Sequence, residues 1–227
     1  MNIAIVLYDK FTALDAIGPY EVLSRLPGAR VTFLAPEAGP VTTDNGMLTI
    51  IAERSLAEVT QPDIVLVPGG PGEVAARAGG ATLDWLKQAD RSSTWTTSVC
   101  TGSLILAAAG LLDGKRATSH WLALDALRRL GAEPVDERVV FDGKLVTAAG
   151  VSAGIDMALT LVASIAGDTV AQAIQLGIEY DPQPPFDAGS PHKAPAEVVE
   201  LLRNLSRFEA DAEGALADGG GALAAPR

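Results

Sequence analysis

The chain has one cysteine and two histidines in 227 residues, and that scarcity removes several classes of protein. A lone cysteine forms no intrachain disulfide, so nothing in the sequence calls for an oxidising compartment. His120 and His192 lie far apart in the chain, and no Cys/His cluster has metal-ligand spacing, so no metal site is expected. Basic residues are also in short supply. Lys and Arg number 17 against 28 Asp and Glu, and the formal net charge of −11 repels phosphate backbones and anionic membranes. Neither nucleic acid nor a membrane is therefore an expected partner. Uninterrupted apolar runs, such as residues 104–112, are far shorter than a membrane span. Residues 1–7 read as a strand, without the basic start, longer apolar segment and cleavage site of a signal peptide. Cytoplasm is the expected location.

What the chain does have is a regular alternation. Hydrophobic residues make up 48% and charged residues 20%, which suits one globular core. A single domain is expected over residues 1–209, followed by a loosely held Gly/Ala-rich tail at 210–227. Continuous apolar runs at 3–7, 31–34 and 63–67 read as strands buried on both faces. Asn45-Gly46 and Asp142-Gly143 mark tight hairpin turns within 41–51 and 139–147. Helical spacing is predicted near 20–23, 81–88, 103–109 and from Ser119 with a stripe of Trp121, Leu124, Leu127 and Arg128. Further helices are predicted from 149 through Ile165, over 168–180, and along an apolar face of Val198, Leu201, Leu202, Leu205 and Phe208. Together these predict an α/β fold, a three-layer sandwich around a mostly parallel, doubly wound, flavodoxin-like sheet.

The organising stretch is residues 95–104, where a β-prone run meets Cys100 and passes into an apolar helix with no loop between. A strand-to-helix elbow of this kind lifts its central side chain out at the carboxyl edge of a sheet, as a nucleophile requires. The start of the following helix would favour a negative charge, lowering the thiol pKa by about 2 units and making thiolate the majority form. Read without function, Cys100 is a small buried apolar residue. Two other features follow strands at the same edge. Asp15 falls in the turn after the first strand, where its structural role would be helix capping. Pro68-Gly69-Gly70-Pro71-Gly72 follows the strand at 63–67, and its glycine pair can aim backbone N–H groups at a ligand. That loop is neither a phosphate loop nor a dinucleotide fingerprint. In doubly wound sheets ligands bind at this edge, so the convergence points to a catalytic Cys100.

The segments Leu14-Asp15-Ala16-Ile17-Gly18-Pro19, Pro68-Gly69-Gly70-Pro71-Gly72, Ser98-Val99-Cys100-Thr101-Gly102, Ala117-Thr118-Ser119-His120-Trp121 and Ala149-Gly150-Val151-Ser152-Ala153-Gly154 resemble the PfpI superfamily, the class I glutamine amidotransferase-like proteins. The resemblance runs from Asn2 to about Phe208. Asp15 with Cys100-Thr101, and residues 179–186 downstream, are similar to the isonitrile hydratase branch of that superfamily. The branch implies a homodimer that converts a small-molecule isonitrile and water to a formamide with no cofactor. By the same resemblance Cys100, Asp15 and Thr101 are the catalytic group. Gly69 and Gly70 contribute N–H groups to the substrate or the developing charge, and His120, Val151 and Ser152 stand close behind. His120 could approach Cys100, or serve as a hydrogen-bonding residue at a helix start. Many superfamily peptidases carry His after the cysteine, and Thr101 here disfavours proteolysis. Deglycase members usually carry Glu where Asp15 stands. A cysteine-based redox sensor, or a hydrolase or deglycase acting on another small substrate, remains open as an alternative. Regulators that join this core to a helix-turn-helix module need more chain than the one helix and tail that follow.

Overall fold

The computed structural model describes residues 1–206 and Phe208. In chain order the elements are β1 (Asn2–Val6), α1 (Ala13–Leu23), β2 (Arg30–Ala35), β3 (Gly39–Thr42), β4 (Thr49–Ala52), β5 (Arg54–Ser55), β6 (Ile64–Val67), α2 (Glu73–Ala76), α3 (Ala81–Ser92), β7 (Trp95–Val99) and α4 (Gly102–Ala108). They continue with β8 (Arg116–Ala117), α5 (Leu124–Arg129), β9 (Glu133–Pro134), β10 (Val139–Asp142), β11 (Leu145–Ala148), α6 (Ala153–Ala166), α7 (Asp168–Gly177) and α8 (Ala196–Asn204). By internal contacts the chain forms two compact units, Met1–Asp181 and one that begins at Pro182. The tail expected at 210–227 lies outside the described residues.

Among the described residues the first unit is built on a seven-stranded sheet in the order β10-β11-β7-β6-β1-β2-β5. Every neighbouring pair is parallel except the β10–β11 hairpin at one edge. Helices cover both faces, which explains why all four residues of β6 and the last four of β1 are buried. The fold is the expected three-layer, flavodoxin-like α/β sandwich with a mostly parallel sheet. One topological fact positions the site: β1, β6 and β7 are adjacent and parallel. The segments leaving their carboxyl ends therefore meet, and these carry Asp15, Gly69-Gly70 and Cys100.

Several local expectations change. Asp15 lies inside the first turn of α1 and caps nothing, because the helix begins at Ala13, ahead of the Gly18-Pro19 pair. Its N-cap, Thr12, makes no side-chain cap bond either. A proline inside a helix usually breaks it, but here the Pro19 ring packs on Gly154 of α6 while Ile155 closes on Gly18. The 41–51 hairpin forms as β3 and β4, yet its turn is wider than Asn-Gly alone suggests. Pairing ends at Thr42 and Thr49, and residues 43–48 form a loop organised by the buried Thr43, whose hydroxyl bonds Asn45 and the Leu48 carbonyl. Arg128 is exposed instead of completing the stripe on α5, and α7 ends at Gly177, short of Tyr180, with Glu179 at φ +49°. In the second unit α8 buries no residue, and Leu201 and Leu205 of its expected apolar face stay exposed.

Candidate active site

Cys100 sits where β7 turns into α4, at φ +56°, a left-handed conformation that a non-glycine residue adopts only when its surroundings enforce it. Those surroundings are identifiable. The Cys100 N–H donates to the carbonyls of Ala148 and Ala149 at 3.0 and 2.9 Å, and its own carbonyl accepts from the Ser103 and Ser119 hydroxyls at 3.1 and 3.0 Å. The elbow is thereby tied to β11, to α4 and to the segment before α5. The residue is 6% exposed.

Burial has a consequence contrary to the sequence expectation. The thiol pKa is raised to about 12, chiefly by desolvation and secondly by the nearby charge of Asp15. Hydrogen bonds toward the sulfur from the Val151 N–H, the Thr101 N–H and the Thr101 hydroxyl offset part of this. A helix start of seven residues does not outweigh removal from water, so thiolate is not the majority resting form at neutral pH. Val151, expected only behind the site, faces the sulfur through its N–H and holds that amide in place at φ +27°.

Asp15 is fully buried, and its pKa is raised to about 7. Desolvation is the main cause; the Gly69 N–H and the Cys100 thiol pull it down, and the charge of Asp44 pushes it further up. Oδ2 accepts the Gly69 N–H at 2.9 Å, while buried Oδ1 accepts no hydrogen bond of normal geometry among the described residues. An unpaired buried carboxyl oxygen is where a proton settles most readily. Cys100 and Asp15 thus titrate as a pair: one negative charge is taken up near neutrality, and a second only far into the alkaline range.

The glycines are required by space. A Cβ at Gly69 would lie 2.5 Å from the Thr101 nitrogen, 2.7 Å from its hydroxyl and 2.9 Å from Asp15 Oδ2. Gly70, at φ +135°, would press a side chain onto the Lys10 carbonyl and the Thr12 nitrogen. Both N–H groups already have partners, Asp15 Oδ2 for Gly69 and Thr101 Oγ1, at 3.0 Å, for Gly70. The glycine loop therefore holds the acid and the hydroxyl in register with the thiol.

His120 does not bear on the thiol in this arrangement. Its ring lies against Gly150, its Nδ1 accepts the Leu122 N–H at 3.3 Å, and burial lowers its pKa, leaving it neutral. Ser152 is exposed and accepts from the Arg138 guanidinium. Cys100, Asp15, Thr101, Gly69, Gly70 and the Val151 amide come together; Ser119, read in the sequence as a helix start within a family motif, anchors the elbow from behind. Among the described residues no cluster of metal-binding side chains occurs, and no helix is long and apolar enough to cross a membrane.

Residues 1–164 match the DJ-1/PfpI family, and the chain belongs to it. It is 44% identical over 203 residues to a Pseudomonas putida protein named isonitrile hydratase, covering 89% of each chain. It also superposes on the crystal structure of a THiJ/PfpI family protein from Pseudomonas syringae with a TM-score of 0.87, at 41% identity over 90% of this chain and 85% of that one. A Pseudomonas aeruginosa protein named HTH-type transcriptional regulator CdhR is 34% identical over 70% of this chain, but the match spans only 48% of the regulator.

Proposed function

We propose that the protein hydrates isonitriles to N-substituted formamides, with Cys100 as nucleophile and Asp15 as the group that moves protons. The observation that carries this reading is the 44% identity, over 89% of both chains, to the relative named isonitrile hydratase. The site supports it chemically. In the singly charged pair, the Asp15 carboxylate takes the Cys100 proton as sulfur attacks the terminal isonitrile carbon. Negative charge develops on that carbon, and Asp15 returns the same proton to it, giving a thioimidate. Water then adds to the carbon while Asp15 passes a proton from water to nitrogen. Collapse of the adduct breaks the carbon–sulfur bond, releases the formamide and restores the thiol and the carboxylate. Isonitrile and one water are consumed, one formamide is made, and no metal or organic cofactor enters a step. The Thr101 hydroxyl, fixed by the Gly70 N–H, and the Val151 amide hold the sulfur through the cycle.

A redox sensor asks for an exposed thiol of low pKa, and Cys100 is buried with its pKa pushed up to about 12. That weighs for turnover over sensing. We also propose that the working form is a cytoplasmic homodimer. Met47, 84% exposed, and Ile51 of the β3–β4 hairpin offer apolar surface for a second copy, and light scattering in solution tests the assembly.

The decisive test mixes the purified protein with an aromatic isonitrile and follows formamide formation in the ultraviolet, with Cys100→Ala alongside. Turnover by the wild type alone is expected. Turnover by Cys100→Ala, or by neither protein, would refute the reading.

A further inference from the structure

The loop between β3 and β4 reaches the site by a route that the chemistry above does not use. Residues 10–12, which lead into α1, are joined to that hairpin on one side and to the glycine loop on the other. The Lys10 N–H donates to the Thr42 carbonyl at 2.9 Å, Phe11 bridges Thr43, and the Thr12 N–H donates to the Gly69 carbonyl at 2.8 Å. Asp44 closes the junction. Its N–H donates to the Phe11 carbonyl at 2.9 Å, its Oδ2 accepts the Thr12 hydroxyl at 2.7 Å, and its Oδ1 accepts the Asn45 N–H at 2.8 Å. Thr12 is the N-cap of α1, and its carbonyl accepts the N–H of Asp15 at 3.1 Å. Asp44 therefore stands one hydrogen-bonded step from the helix turn that carries the acid. Among the described residues no basic side chain pairs with it, so its charge is not cancelled locally.

We propose that Asp44 is a positioning residue for this reaction, a charged latch that fixes the first turn of α1 through Thr12 and adds its negative charge to the field at Asp15. The inference rests on the hydratase reading of the site. Two titratable groups act on the Asp15 carboxyl, Cys100 from the elbow and Asp44 from the hairpin; the glycine loop contributes only the Gly69 N–H. The field of Asp44 favours the proton on Asp15 over the proton on Cys100. It thus enriches the arrangement of the singly charged pair in which sulfur is the nucleophile and Asp15 the acid.

This has a signature that a merely structural residue would not produce. Well below neutrality the reactive fraction depends only on how readily the thiol ionises beside a neutral Asp15. Removing Asp44's charge leaves that limb nearly unchanged. Above neutrality the reactive fraction depends on the division of one proton between the two groups, and removing the charge lowers it. Asp44→Asn keeps the size of the side chain and one acceptor, for the Thr12 hydroxyl, while its amide nitrogen gives up the bond from the Asn45 N–H. The expected result is a plateau rate reduced roughly two- to fivefold, with the midpoint of the rise moved down by roughly 0.3 to 0.7 pH unit, within the range that exposed charge interactions produce. Asp44→Glu should retain the wild-type profile, and high salt should shrink the difference between wild type and Asp44→Asn by screening an exposed charge.

A second readout needs no substrate. The protonated-carboxyl stretch of Asp15, assigned by its loss in Asp15→Asn, can be titrated by infrared difference spectroscopy in wild type and Asp44→Asn. A lower midpoint in Asp44→Asn is expected. An unmoved midpoint, a uniform loss of rate at every pH, or an Asp44→Glu profile shifted as far as that of Asp44→Asn would overturn the proposal. A protein that shows the infrared shift but hydrates no isonitrile would leave the latch standing and refute the hydratase reading.

Discussion

Replacing Asp15 by Asn should abolish isonitrile hydration and, at alkaline pH, stabilise the protein. The size of the second effect follows from the site. Burial raises the Asp15 pKa from 3.8 to about 7, so the folded state resists ionising a group that the unfolded chain ionises freely. Below about pH 4 both states hold the proton and Asp15 costs nothing. As pH rises toward 7 the unfolded chain has already lost its proton while the folded protein retains it, and stability falls. Above about 7 both are ionised and the loss is complete. Roughly three pKa units at 1.36 kcal/mol each give a loss of about 4 kcal/mol across that window. Asn fits the same space, and its carbonyl oxygen can accept the Gly69 N–H that Oδ2 now receives. The assay is thermal unfolding of wild type and Asp15→Asn at fixed protein concentration from pH 5 to 8. For a chain of this size about 1 kcal/mol moves Tm by roughly 2–4 °C, so the variant should pull ahead by roughly 10 °C at the alkaline end. Only the difference between the two curves counts, since other groups titrate in both proteins. Parallel curves would refute the claim that Asp15 is ionised at a cost inside the folded protein.

The thiol gives an independent check. With its pKa near 12, Cys100 should alkylate slowly with iodoacetamide at neutral pH and accelerate steadily with pH, and Asp15→Asn should speed the reaction by removing the carboxylate charge that opposes thiolate. A labelling rate that shows no further rise between about pH 8 and 10, or a slower Asp15→Asn, would contradict the electrostatics of the pair. Gly69→Ala should eliminate turnover and destabilise the fold, because the new methyl group meets the Thr101 nitrogen and the Thr101 and Asp15 side chains at under 3.0 Å. Normal activity and Tm in that variant would show that the glycine loop is freer than its contacts indicate.

The elbow was legible in the sequence because its physics is local: a β-prone run, one cysteine and small residues at 102 and 103 leave the chain few ways to proceed. Asp15 and the glycine pair were legible for a related reason, since three parallel strands place the residues that follow them on one edge. What stayed hidden depends on pairings distant in the chain. The Val151 amide reaches the sulfur because β11 pairs with β7 so that Ala148 lies beside Val99, which brings the turn after β11 onto the elbow. No residue type at 151 announces this, for the contact is made by backbone. The thiol pKa failed as an expectation for the same reason. A helix start is visible in sequence as a source of positive potential, whereas burial from several directions is not, and here burial is the larger effect. Asp44 belongs to this hidden group. In sequence it is an ordinary turn residue beside Asn-Gly, and it acquires a relation to Asp15 only because Phe11 and Thr12 lie against the hairpin. The site is therefore divided: local sequence places the thiol and the carboxyl group, while the fold, through backbone amides, burial and a distant charge, tunes how readily each gives up its proton.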